Sequence, residues 1–84
     1  MTWVVVLSHR AERNLQRVPA ADRVRILAAT EEMATDPLKG DVVKLKGLAA
    51  FRRRVGNYRI IFAIDFAARA VAVHDVQRRT STTY

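Results

Sequence analysis

Val4, Val5, Val6 and Leu7 form an unbroken, mostly β-branched apolar run, and the hydrophobic period changes directly after it. Such a run reads as a strand, buried on both faces or lying at a sheet edge. Ser8 then suits the N-cap of a helix. On that helix Ala11, Leu15 and Val18 recur at spacings of four and three, a single apolar stripe, with Arg10, Arg13, Asn14 and Gln16 outside it. Pro19 ends it. A second helix is predicted from near Ala21 and Asp22, an acidic residue suited to a first turn. It carries Val24, Leu27, Ala28, Met33 and Ala34 as its apolar positions, and Asp36-Pro37 stops it because the residue before proline disfavours helix. Two short helices joined tightly around Pro19 make an antiparallel hairpin.

The second half of the chain has a different rhythm. Residues 38–50 hold two glycines and three lysines and read as a loop with some extended structure. Phe51 to Val55 and Tyr58 to Ile64 are predicted strands joined at Gly56-Asn57, a two-residue loop whose glycine can supply the positive φ of a tight hairpin turn. Asp65 to Arg69 form a second connection, Ala70 to Val76 a further strand, and Gln77 to Tyr84 a polar tail. The predicted order is β-α-α-β-β-β. This is an α+β domain over residues 1–84, with a helical hairpin packed on one face of a small, largely antiparallel sheet.

Register turns this outline into chemistry. With Gly56 and Asn57 as the loop, Val55 faces Tyr58, Arg54 faces Arg59, Arg53 faces Ile60, Arg52 faces Ile61 and Phe51 faces Phe62. Opposed residues share a side of an antiparallel pair. One face therefore collects Phe51, Val55, Tyr58, Ile60, Phe62 and Ile64, a core face for the helices to cover. The other collects Arg52, Arg54 and Arg59. Like charges placed opposite one another oppose folding, whereas converging guanidinium groups match the oxygens of a phosphate. No carboxylate lies within residues 42–64, so local neutralisation is not expected. Arg53 falls on the core face in this register. It either lies at the sheet margin, its charge reaching out to an edge, or a bulge shifts the strand by one.

Composition sharpens the reading without redirecting it. Fifteen Lys and Arg against eight Asp and Glu give a net charge of +7, a positive field that attracts polyanions. There are no cysteines, which rules out disulfides and thiolate metal sites. The apolar start is followed at once by His9 and Arg10, and a membrane span needs roughly 20 apolar residues; a cytoplasmic location without membrane or metal partners is expected. His9 and His74 have no carboxylate cluster near them to make a metal site; His74, next to Asp75 in the last strand, is placed to lie beside the arginine face but reads more simply as structural. Trp3 and Phe66 read as core or edge aromatics. No phosphate loop, zinc spacing or hydrolase elbow is found, and no cofactor is expected.

The run Phe51-Arg52-Arg53-Arg54-Val55-Gly56-Asn57-Tyr58-Arg59-Ile60-Ile61-Phe62-Ala63-Ile64-Asp65 resembles a characteristic stretch of the RelE/ParE toxin superfamily of toxin–antitoxin pairs. Leu7-Ser8 with Ala11 and Leu15 ahead of Pro19, Asp36-Pro37, Lys44-Leu45-Lys46-Gly47-Leu48, and Val76-Gln77-Arg78-Arg79 leading to Tyr84 extend the resemblance over nearly the whole chain. Arg53 departs from it, at a position usually apolar in the family. The resemblance implies a RelE-like fold and a metal-independent endonuclease that cuts mRNA on the ribosome, or, in the ParE branch, an inhibitor of DNA gyrase. A third option is a nucleic-acid-binding relative without activity. By position, Arg52 and Arg54 resemble residues that hold RNA and its phosphate, with Lys44 and Lys46 as further basic contacts. Arg59 resembles the transition-state arginine, Arg78 or Arg79 the basic residue near the leaving group, and Tyr84 a tyrosine that stacks or moves a proton. A cognate acidic antitoxin is the implied protein partner, with ribosome and mRNA as targets.

Overall fold

The computed structural model of the chain describes residues 2–47 and 49–79. The elements run β1 (Val4–Leu7), α1 (His9–Gln16), α2 (Ala20–Met33), β2 (Val42–Lys44), β3 (Phe51–Val55), β4 (Tyr58–Asp65) and β5 (Ala70–Arg78). They form one sheet in the order β1-β5-β4-β3-β2, antiparallel throughout except for the parallel β1–β5 pair. The loop expected over 38–50 thus contributes a short edge strand, β2. Gln77 and Arg78, expected in the polar tail, continue β5, and residues 80–84 of that expected tail lie outside the described residues.

Ser8 converts strand into helix. Its Oγ accepts from the Ala11 N–H at 3.0 Å and its hydroxyl donates to the His74 carbonyl at 2.7 Å, so one side chain caps α1 and ties it to β5. Ala11, Leu15 and Val18 are buried, as their spacing predicts. At the other end of α1, Arg23 of α2 donates to the carbonyls of Leu15, Gln16 and Val18, at 3.3, 3.2 and 2.9 Å. The Leu15 carbonyl also accepts the Val18 N–H at 3.1 Å, and all three carbonyls lie at the end of α1 whose dipole favours a cation.

The inward stripe of α2 is Ile26, Ala29, Thr30 and Met33. Of the apolar positions predicted for this helix, Met33 is buried, but Val24 is 67% exposed, Leu27 is 39% exposed and Ala28 is exposed too. The apolar residues of α2 are spread around the helix, with Val24 and Leu27 on a different side from Ile26 and Met33, so its hydrophobic period is weak and packing against the sheet selects the face. The core beneath is Tyr58, Ile60, Phe62, Val71, Val73 and Val76 from the sheet with the buried helix residues, and Phe51 stacks on Phe62 at 5.6 Å between ring centres. β1 is an edge strand: Val5 and Leu7 pack on the core while Val4 and Val6 point outward. Trp3 and Phe66 meet edge to face at 5.7 Å, with Arg69 over the Trp3 ring.

Candidate functional site

The β3–β4 register is the one the hairpin turn predicts, pairing Arg54 with Arg59, Arg52 with Ile61 and Arg53 with Ile60. Gly56 supplies the turn with a φ of +56°, and Asn57 needs no positive φ, the arrangement of a type II′ loop. Pleating then sends Arg52, Arg54 and Arg59 to the face that the helices do not cover. There they line a cavity of about 290 Å³ with a fourth arginine, Arg79. Arg79 arrives from β5: its N–H donates to the Asn57 carbonyl at 2.6 Å, carrying the β4–β5 ladder one step beyond Arg78.

Arg52 and Arg54 are partly balanced by Asp41, with nitrogen–oxygen distances of 3.7 Å for both pairs. The expectation that no local carboxylate reaches these arginines is therefore corrected. Asp41 stands one residue before the acid-free window, and its carbonyl accepts the Arg54 N–H at 3.0 Å, which brings it alongside β3. At 3.7 Å the two contacts are charge pairs longer than hydrogen bonds. The Arg52 side chain is 17% exposed, and its Nη1 is buried without a hydrogen-bond partner among the described residues. A buried cationic donor in that state is destabilising until an acceptor reaches it.

Arg59 donates from Nε to Gln77 Oε1 at 2.9 Å, and Gln77 donates from Nε2 to Asp75 Oδ2 at 3.0 Å. Neither Asp75 nor Gln77 stands out in the sequence as part of the site, since their place depends on a bulge. β4 and β5 slip register between Ile61 and Phe62, so that Ile61 faces Asp75 while Phe62 faces Val73.

The remaining sequence candidates separate. Arg78 pairs with Tyr58 and so lies on the helix side of the sheet, where it lines a different cleft with Asn14, Arg17, Val18, Pro19, Tyr58 and others. Of the two C-terminal arginines, Arg79 is the one brought to the cavity. Lys44 pairs with Phe51 on the helix side, at the β2 edge, and Lys46 is exposed in the following turn; neither lines the arginine cavity. Tyr84 lies outside the described residues. His74 is exposed at the bulge, and His9 is exposed in the first turn of α1.

Arg53 stays in register on the core face, only 8% exposed, with no shift of the strand. Its guanidinium reaches α2, donating to the Ala29 carbonyl at 3.3 Å and pairing with the Glu32 carboxylate. That partnership holds the Glu32 carboxyl below its usual range, first through the hydrogen bond and then through the charge of Arg53. Among the described residues no three His, Asp or Glu side chains gather to hold a metal ion, and no helix is long and apolar enough to cross a membrane.

No protein-family model matches this sequence, and no curated protein does. Solved structures do. A chain of the archaeal RelE–RelB complex from Pyrococcus horikoshii OT3 superposes with a TM-score of 0.85 at 26% identity, covering 96% of this chain and 99% of that one. The YoeB/ParE toxin from Agrobacterium tumefaciens has a TM-score of 0.77 at 16% identity, covering 92% and 99%, a likeness of fold alone. A chain of the RelB–RelE antitoxin–toxin complex from Methanococcus jannaschii is 30% identical, with a TM-score of 0.76 and coverage of 92% and 93%. Two helices on one face of a five-stranded sheet, likeness over almost the full length, and identity at this level together place the chain in the RelE-like toxin superfamily of toxin–antitoxin systems.

Proposed function

We propose that this chain is a ribosome-dependent mRNA endonuclease that works without a metal ion, the toxin partner of an acidic antitoxin. The observation that carries the reading is the convergence of Arg52, Arg54, Arg59 and Arg79 on one cavity of the open sheet face. Folding alone gives no reason to oppose Arg54 and Arg59, whereas a phosphodiester does.

In the reaction proposed here the 2′-oxygen of a nucleotide attacks the adjacent phosphorus and loses its proton. The phosphorane that forms expels the 5′-oxygen, which takes up a proton. The products are a 2′,3′-cyclic phosphate and a 5′-hydroxyl end. Negative charge builds on the equatorial oxygens and on the leaving oxygen, and fixed cations in a pocket lower the energy of that charge distribution. Arg52 and Arg54 are assigned to the RNA backbone and the scissile phosphate, Arg59 to the phosphorane and Arg79 to the leaving oxygen. Arginine stays protonated near neutrality, so proton transfer falls to Tyr84 or to water on the ribosome. The antitoxin is assigned an acidic, amphipathic segment that covers apolar surface and opposes this basic face.

The test is translation in vitro with mapping of mRNA ends. Wild type should cut message only on ribosomes, leave cyclic phosphate ends and persist in chelator. Arg59→Ala should slow cutting by about 10²–10³-fold. Intact message together with blocked DNA supercoiling would instead assign the chain to gyrase inhibition.

A further inference from the structure

Past Val73 the outer edge of β5 has no strand beside it among the described residues, because β1 pairs only with Ala70–Val73. α1 takes that place. Ser8 bonds to Val73 and His74, and Asn14 Nδ2 donates to Asp75 Oδ1 at 2.6 Å. Asp75 is 9% exposed, and both of its oxygens are used: Oδ1 accepts from Asn14 and from the Val76 N–H at 2.8 Å, Oδ2 from Gln77. Beyond Gln77 the chain of bonds reaches Arg59 Nε, in the wall of the arginine cavity. An unbroken run of hydrogen bonds thus joins the first helix to the cationic face, passing around the open edge of β5.

We infer that Gln77, oriented by Asp75 and Asn14, is a positioning residue that sets the guanidinium plane of Arg59 for phosphate. The inference rests on the proposed role of Arg59 above. The chemistry at each link has one workable direction. Arg59 can only donate and the Asp75 carboxylate can only accept, so the residue between them must accept on one side and donate on the other. A glutamine amide does both, and only one of its two flips serves both neighbours. It also keeps the anchoring carboxylate one side chain away from Arg59. A direct Asp–Arg pair would fix the guanidinium equally well, yet would neutralise the charge the anion needs. The relay transmits rigidity without transmitting negative charge. Holding the long side chain before RNA arrives removes an ordering cost from binding and from the reaction.

The arrangement separates two substitutions at one position. Gln77→Leu abolishes both links and should lower kcat for ribosomal mRNA cleavage about tenfold, the usual weight of a hydrogen bond to a charged group. Gln77→Glu keeps an acceptor for Arg59 but adds a carboxylate, so the loss should fall mainly on KM and shrink as salt screens it. Asp75→Asn should give a smaller kcat loss than Gln77→Leu. In an Arg59→Ala background, Gln77→Leu should cost nothing further, since the two residues act as a unit. Melting curves establish that each variant is folded. Because the nuclease reading could fail separately, the Arg59 Nε–H resonance is followed in the same proteins during titration with inorganic phosphate. Gln77→Leu should shift that resonance in the free protein and weaken phosphate binding. An Arg59-dependent phosphate site sensitive to Gln77, in a protein that cuts no message, would keep the relay and discard the nuclease. Equal losses from Gln77→Leu with and without Arg59, or an unchanged Arg59 resonance, would overturn the relay.

Discussion

At the scale of single residues, Arg53 shows how a charge can sit on a core face. Its stem crosses the apolar layer and its head finds Ala29 and Glu32 at the rim of α2. Gly40 covers the guanidinium, with a φ of +92° and no room for a side chain: a Cβ there would lie 3.0 Å from Arg53 Cζ. Gly40→Ala should lower stability by about 1–2 kcal/mol in chemical denaturation. Gly47→Ala should lower it less, since φ is +77° there but nothing lies within 4 Å. The Glu32 pair also predicts an acid response. Arg53 depresses the Glu32 pKa below the 4.5 of an ordinary glutamate. A depressed carboxylate adds stability that is complete above the unfolded value and fades as pH falls through the folded one. Glu32→Gln should therefore melt below wild type at pH 7, and the two melting curves should draw together as the pH falls below 4.5.

Elements depend on contacts that no local pattern announces. The helical hairpin is visible in the spacing of Ala11, Leu15 and Val18 and in Pro19, but Arg23 is what closes it, over three carbonyls of the α1 end. Arg23→Ala should destabilise the domain by about 1–2 kcal/mol, with Arg23→Lys recovering part of it, as measured by urea titration. The β3–β4 hairpin is the opposite case. Its register follows from the Gly56 turn and strict alternation, and every cross-strand pair could be assigned from the chain. α2 could not be oriented in that way, since Val24 and Leu27 compete with Ile26 and Met33 for the inner face, and the sheet takes the latter pair. β5 shows a third situation: a bulge places both Asp75 and Val76 in buried positions, and alternation alone never predicts a bulge.

The whole molecule carries a charge of +7, and its tertiary structure gathers four arginines in one cavity. If all four meet phosphates, the logarithm of affinity for single-stranded RNA should fall with the logarithm of salt with a slope of about −3. Arg54→Ala should make that slope shallower by roughly 0.7, whatever the RNA sequence. A fluorescence titration across salt concentrations measures both. A flat salt response would remove phosphate from the account of this face.

Local chemistry determined a great deal here. The period of apolar positions, the glycine at the hairpin turn and the alternation of β3 and β4 are short-range properties. They were enough for the class of fold, the pairing of Arg54 with Arg59 and the face on which Arg52 joins them. Long-range closure decided the rest. Asp41 joins the site because β2 pairs with β3, Arg79 joins while Arg78 turns away because β5 extends beside β4, and Gln77 reaches Arg59 because the two stand opposite each other beyond the register shift of β4 and β5. Each of these depends on which distant segments become neighbours when the core closes, and a one-dimensional pattern specifies side-chain faces more readily than it specifies neighbours.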